Sequence, residues 1–222
     1  VSTFFRSLLY IFFHSFIGFL DLSIQHTEMS DLHKSSSSSS GRDHSFEFLA
    51  MPYDEFDVLV SDIDENELIK IGKTYEIEHL SAGTFTSPAF PAKGEIYGPN
   101  MRLMISLVCQ RAGKPNSKAV NIWFFVDTGS PFTCLTMKSL EAFFGEGNVA
   151  GDDSKNYPMA IQDRNSKILC RVSKAHYKEV NILGVDAMRL LEVSPIVKWR
   201  QNTFHLINEQ IFSYVYCKSE SL

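Results

Sequence analysis

The sequence predicts an all-β domain that follows an N-terminal extension with little structure of its own. Two long apolar runs, residues 103–110 and 119–126, are typical of strands and are separated by a turn containing Gly-Lys-Pro-Asn. Residues 157–162 and 167–172 flank the polar turn 163–166, which is the pattern of a hairpin. With 44% apolar residues and 18 phenylalanines among 222 residues, the chain can build one good core.

The remaining elements of the domain are predicted from local signals. Residues 137–144 predict a short helix that Gly145 and Gly147 close. Apolar residues alternate over 67–77, which predicts one or two strands. The stretch 86–94 predicts an extended connector, because each proline disfavours helix at the residue before it. Two more strands are predicted at residues 204–206 and 211–216.

These signals divide the chain into four parts. They are a hydrophobic segment (1–24), an acidic, serine-rich leader and linker (25–95), the β domain (96–205) and a C-terminal extension (206–222). The six serines at 35–40 are typical of a flexible linker, because serine side chains have nothing apolar to bury.

The hydrophobic segment has two interpretations. Residues 7–20 follow Arg6 and are interrupted by His14, so the run is too short for a confident membrane span. It is typical of the apolar region of a signal sequence or of a helix on a membrane surface. A buried helix or a non-native start is the alternative, and membrane contact through residues 4–20 stays open.

Charge is unevenly distributed along the chain, whose net charge is −5. Residues 21–99 carry a net charge of −10, and residues 100–200 carry +5. The acidic leader either docks on the basic domain or serves as a solubilising tail. The lysines of the domain have no interleaved aromatic residues, which favours a solvated surface over nucleic-acid binding.

The four cysteines do not form a metal-binding pattern. No two of them form a CxxC pair, and no histidine lies at zinc-finger spacing from them; the four are Cys109, Cys134, Cys170 and Cys217. We therefore expect no metal and no cofactor. Scattered cysteines fit a reducing compartment, which favours an intracellular protein, although membrane association stays possible.

The predicted strand 119–126 ends in Asp127-Thr128-Gly129-Ser130. These residues alone are a weak signal, since an aspartate after a strand commonly caps a turn. A second segment strengthens the signal. The short strand-like run 180–183, apolar except for Asn181, is followed by Gly184, 57 residues after Asp127, and then by the start of a helix.

Together the two motifs resemble the retropepsins, the single-lobe aspartic proteases of retroviruses and retroelements, over residues 99–201. In that family the Asp-Thr-Gly strand end carries the catalytic acid. An apolar-apolar-Gly strand, here Ile182, Leu183 and Gly184, supports the catalytic loop from behind. The resemblance implies a closed barrel, one lobe per chain, with a short C-terminal helix at residues 186–192.

The resemblance also implies the roles of the residues in the loop. Asp127 is the catalytic residue, and a homodimer brings two copies of it together to activate a water. Thr128 hydrogen-bonds the partner loop, Gly129 allows close backbone approach, and Ser130 holds the carboxylate orientation. Asp186 is expected to be a helix N-terminal acid and not a catalytic group. The substrate would be a peptide or protein with bulky apolar side chains.

Retropepsins close a flap over the substrate, and this chain offers two candidates for it. The hairpin turn 163–166 is one, although its tip lacks glycine, and the glycine-containing stretch 147–153 is the other. The Phe90-Pro91 bond, in the predicted connector, is a hypothetical site of self-cleavage.

The favoured function is therefore an aspartic endopeptidase. The alternatives are a catalytically silent binding module with the same fold, or the protease segment of a retroelement polyprotein.

Overall fold

The computed structural model of the chain describes residues 60–151 and 155–208, and these form a mostly β structure with short helices. This agrees with the all-β prediction. The strands are β1 (Ala92–Tyr97), β2 (Arg102–Arg111), β3 (Val120–Val126), β4 (Cys134–Leu135), β5 (Tyr157–Ile161), β6 (Ile168–Val172), β7 (Ile182–Leu183), β8 (Val193–Lys198) and β9 (Thr203–Asn208). The helices are α1 (Glu65–Thr74), α2 (Met137–Phe144) and α3 (Val185–Leu191), with 3₁₀ turns at Ala175–Tyr177 and Trp199–Gln201.

The strands form one sheet in the order β3-β7-β4-β6-β5-β2-β1-β9-β8. Strand β3 also pairs with β2, so six strands (β3, β7, β4, β6, β5 and β2) form a closed ring of paired strands. The pairs β3–β7 and β4–β6 are parallel, and the other strand pairs are antiparallel. The hairpin β8–β9 is joined to this ring of strands through β1, which pairs with β9.

Strand β3 is buried on both faces, which explains its uninterrupted apolar sequence. Ile122 and Phe124 lie in the main core, whereas Trp123 and Phe125 lie in a second cluster on the opposite face. Because side chains alternate along a strand, Asp127 belongs to the Phe125 face. The second cluster, and not the main core, is therefore the neighbourhood of the aspartate.

Helix α1 corrects the sequence-based prediction of strands over residues 67–77. The side chain of Asp64 caps the helix by accepting a hydrogen bond from Glu67 N at 2.8 Å. Leu68 and Ile71, three residues apart, are buried in the second cluster, while Ile69 is 40% exposed. The apolar pattern thus has a helical period, which the alternation of isoleucines concealed.

The chain before β1 is also more ordered than the predicted leader and linker. Residues 77–83 run beside β3, where Trp123 Nε1 donates to Ile77 O at 2.7 Å and Leu80 N donates to Asn121 O at 2.8 Å. Val60 and Ile63 are buried in the second cluster. The segment from residue 60 to β1 therefore belongs to the packed structure.

Phe90 is 6% exposed and lies in the main core. Just before it, Ala89 O accepts a hydrogen bond from Gln162 Nε2 at 3.0 Å. The hypothesis of self-cleavage at Phe90-Pro91 does not fit this packing, because a protease needs an accessible, extended segment. The hydrophobic segment 1–24, the serine run and the predicted strand 211–216 lie outside the described residues. Among the described helices, none has the length and apolar character needed to cross a membrane.

Candidate active site

The loop that carries Asp127 begins where β3 ends. Asp127 is partly buried, and its Oδ1 accepts a hydrogen bond from Gly129 N at 2.8 Å. Ser130 N donates to Asp127 O at 3.2 Å and closes the turn. The bond from Gly129 N orients the carboxylate, next to the exposed Thr128 and Gly129.

Strand β7 lies directly against this loop. Val126 pairs with Leu183 in parallel register, and Asp127 N donates to Leu183 O at 3.1 Å. On the far side of the loop, Ser130 O accepts from Val185 N at 2.9 Å. The structure thus brings the two sequence motifs together, residues 127–130 and 182–184.

The close packing of Gly184 against the backbone of Phe132 requires a glycine. A Cβ atom at Gly184 would lie 2.3 Å from Phe132 O, so a side chain cannot be accommodated without moving backbone. Gly129 is less constrained, because its Cβ would lie 3.2 Å from Asp127 Oδ1.

Ser130 does not have the role that the resemblance implies. Its side chain is fully buried, and its hydroxyl donates to Phe132 O at 2.8 Å. Because a hydroxyl has one proton to donate, Ser130 does not donate to the Asp127 carboxylate. It fixes the turn after the aspartate instead.

Thr133 is a structural residue of the site that the sequence analysis missed. Its fully buried hydroxyl accepts from Gly184 N at 3.1 Å and donates to Asp186 Oδ1 at 2.6 Å. Asp186 Oδ1 also accepts from Ala187 N at 2.7 Å, in agreement with its predicted place at the start of a helix. No local sequence signal identifies Thr133, because its partners lie more than 50 residues away.

A charged pair lies on the same face as Asp127. Arg102 donates three hydrogen bonds of 2.7–3.2 Å to the Asp62 carboxylate and lies 5.1 Å from the ring centroid of Phe125. The hydrogen bonds from Arg102 are the main cause that lowers the pKa of Asp62 to about 2. The pKa of Arg102 is raised, chiefly by the bond to Asp62 and in part by the charge of Asp127.

A cavity of about 400 Å³ opens beside the loop. Thr128 lines it together with Val185 and Met188 of α3 and with Pro195 of β8. Val185 is 42% exposed although it is apolar. The surface next to Asp127 therefore combines an exposed hydroxyl with exposed apolar groups.

The hairpin β5–β6, the first candidate flap, is fixed to the sheet at its turn. Gln162 exchanges hydrogen bonds with Val108 N and O and also binds Ala89 O. Ser166 Oγ donates to Asp163 O at 2.7 Å within the turn. A hairpin bonded in this way does not fit a lid that opens freely, and residues 152–154 of the second candidate lie outside the described residues.

The described cysteines, Cys109, Cys134 and Cys170, are buried thiols, and burial raises the pKa of Cys109 and Cys170. Within residues 60–151 and 155–208, no three histidine, cysteine, aspartate or glutamate side chains are grouped as metal ligands.

Comparisons with known proteins found distant structural similarity and no match in sequence. No protein-family model matches the chain, and no curated protein matches its sequence. A crystal structure of a retropepsin-like aspartic protease from Rickettsia conorii is similar, with 15% identity and a TM-score of 0.33. The similarity covers 54% of this chain and 91% of that one.

Proposed function

We propose that this protein is an aspartic endopeptidase whose active site forms between two copies of the chain. One observation supports this most directly. The Asp127 carboxylate is partly buried at a strand end, oriented by Gly129 N and backed by β7. On this proposal, the ring of six paired strands corresponds to the closed barrel of a retropepsin-type lobe.

Hydrolysis without a covalent intermediate requires one group that takes a proton from water and another that protonates the departing amine. Two adjacent carboxyl groups can do both when they share one proton, because two like charges at close range cannot both be ionised. The proton then belongs to the pair. In the proposed dimer, Asp127 of each copy supplies one carboxyl group.

A single chain holds half of such a site, so a twofold axis must pass beside Asp127. The exposed Thr128 and the exposed, apolar Val185 lie on the surface where a second copy would pack. An extended peptide with apolar side chains would bind in the cleft between the copies.

A mixing experiment with the full chain tests the shared site. Wild type and Asp127→Asn are allowed to exchange subunits at fixed total protein, and cleavage of a peptide library is measured across about pH 3 to 7. We expect activity to fall with the square of the wild-type fraction, because a mixed dimer has one carboxyl group. Pepstatin should inhibit the wild-type activity.

Asp163→Asn is the matched control, because it makes the same chemical change in a turn where Asp163 Oδ1 accepts from Asn165 N. Mixing this variant with wild type should leave activity unchanged. A linear fall with Asp127→Asn would contradict a site that needs both carboxyl groups, and no cleavage by wild type at any pH would reject an enzyme.

The hydrogen-bonded hairpin β5–β6 favours a second candidate, a silent binding module. If the protein is such a module, wild type and Asp127→Asn should bind library peptides equally well, and neither should release products. Size measurement separates the two candidates further, since a monomer at micromolar concentration cannot assemble the shared site.

A further inference from the structure

Three strands place a row of polar side chains at the site. Tyr97 of β1 is the register partner of Arg102 of β2. On the other side of β2, Met104 is opposite Phe125, and continuing this antiparallel register by two residues places Arg102 opposite Asp127. Directly opposed residues typically have Cβ atoms about 5 Å apart on the same face. The extended register thus aligns Arg102 with Asp127, whose charge contributes to raising the pKa of Arg102.

The guanidinium of Arg102 is held in place from outside the strands. Asp62, in the segment before α1, accepts hydrogen bonds from both Nε and Nη2 of Arg102, and the Phe125 ring packs against the cation. Both side chains of the ion pair are about one-fifth exposed. The two opposite charges are thus held in contact with each other and partly shielded from water.

We propose that Arg102 and Asp62 are positioning residues, and that their balanced charges set the pH range in which the Asp127 site works. This inference depends on the proposed endopeptidase function. It gives the segment from residue 60 to α1 a role in catalysis, since that segment supplies the acid that neutralises Arg102.

Other charged groups near the site come from helices α1 and α3. Behind Tyr97, whose hydroxyl bonds to the Glu67 carboxylate, lies the exposed pair Glu67–Lys70 of α1. Both Glu67 and Lys70 are retained when Asp62 or Arg102 is substituted, so their effect on Asp127 is constant.

Helix α3 contributes the remaining groups. Asp186 Oδ1 accepts hydrogen bonds from the Thr133 hydroxyl and from Ala187 N. Arg189 and Glu192 line the cavity beside Thr128. These groups also remain unchanged in the variants. The Asp62–Arg102 pair is therefore the part of the local charge that the test alters.

The sign of each expected shift follows from the charges. Asp62→Asn leaves the Arg102 cation unbalanced, which favours the ionised form of Asp127, so the bell-shaped pH–rate profile should move to lower pH by about one unit. Arg102→Gln removes the cation and leaves the Asp62 carboxylate, so the profile should move to higher pH by a similar amount. The double variant restores neutrality and should return the profile to near the wild-type position.

Opposite shifts that cancel in the double variant cannot come from general destabilisation. Glu65→Gln is the control, because it removes an acid from the same segment, where Glu65 pairs with Lys138 of α2 and not with Arg102. Its profile should match that of wild type. Unchanged profiles in both single variants, or an equal shift with Glu65→Gln, would overturn the proposal.

A second readout does not require activity. Titration of the Asp127 carboxyl carbon by NMR in the full-length wild type and the same variants should show the same opposite shifts. Shifts in a protein without cleavage would support the positioning role and reject the endopeptidase. Cleavage with unshifted titrations would support the endopeptidase and reject the positioning role.

Discussion

Gly184 lies against the carbonyl group of Phe132, so closely that a Cβ atom would be 2.3 Å from the oxygen and 2.4 Å from the carbon. This contact joins two segments that are 52 residues apart in the sequence, the loop after Asp127 and the start of α3. The glycine of the second motif therefore serves a packing need that only the folded chain makes visible.

Replacing Gly184 by alanine should lower the free energy of unfolding by about 3 kcal/mol, because backbone atoms would have to move to relieve the overlap. Denaturant unfolding measures this. Gly151→Ala is the matched control, since its Cβ would meet only the flexible end of Met137 at 3.3 Å. A loss at Gly184 no larger than that at Gly151 would contradict the geometry.

Thr133→Val should destabilise the protein by about 2 kcal/mol. The substitution keeps the shape of the side chain but leaves Gly184 N and Asp186 Oδ1 without their buried partner. Thr133→Ser retains the hydroxyl and should lose much less. If both variants unfold at the same denaturant concentration, the hydroxyl network is not a source of stability.

His79 should make the protein less stable in acid. Burial lowers its pKa to about 4, and its Nδ1 accepts a hydrogen bond from Trp123 N at 3.2 Å. In the unfolded chain this histidine has an ordinary pKa of about 6.5, so between about pH 6.5 and 4 it binds a proton that the folded chain does not bind. Stability contributed by neutral His79 is therefore present above about pH 6.5 and is lost as the pH falls towards 4.

The size of this effect should be about 2 kcal/mol over that range, measured by denaturant unfolding at several pH values. His79→Gln does not titrate, so its stability should depend less steeply on pH between about 4 and 6.5. Identical slopes for the variant and wild type would mean that His79 is not the responsible group.

Purified protein should keep its Phe90-Pro91 bond intact. Phe90 is buried in the main core, so a protease would have to unfold β1 and its surroundings to reach the bond. Mass spectrometry of an actively cleaving sample after long incubation tests this. A fragment beginning at Pro91 under native conditions would show that the connector opens more readily than its packing indicates.

Sequence patterns predicted the elements whose signals are local. The strands β2 and β3, the hairpin β5–β6 and the helix at Met137–Phe144 follow from periodicity and turn residues, and the structure contains them. Strands β1 and β8 were missed. Each has a proline at or next to it, Pro91 before β1 and Pro195 within β8, which weakened the strand signal.

Helix α1 was assigned to the wrong class because its isoleucines alternate as in a strand. Only the burial of Leu68 and Ile71 against the face of β3 opposite the main core selects the helical period. Tertiary packing overrode a short-range pattern in this segment.

The sequence by itself determined where an aspartate ends a buried strand and where a glycine follows a second apolar pair, since both are short motifs in consecutive residues. Tertiary structure decided which side chains surround that aspartate. Arg102 lies near it through strand register, Asp62 binds Arg102, and Thr133 binds the second motif at Gly184. Such contacts between distant segments depend on how the chain folds back on itself.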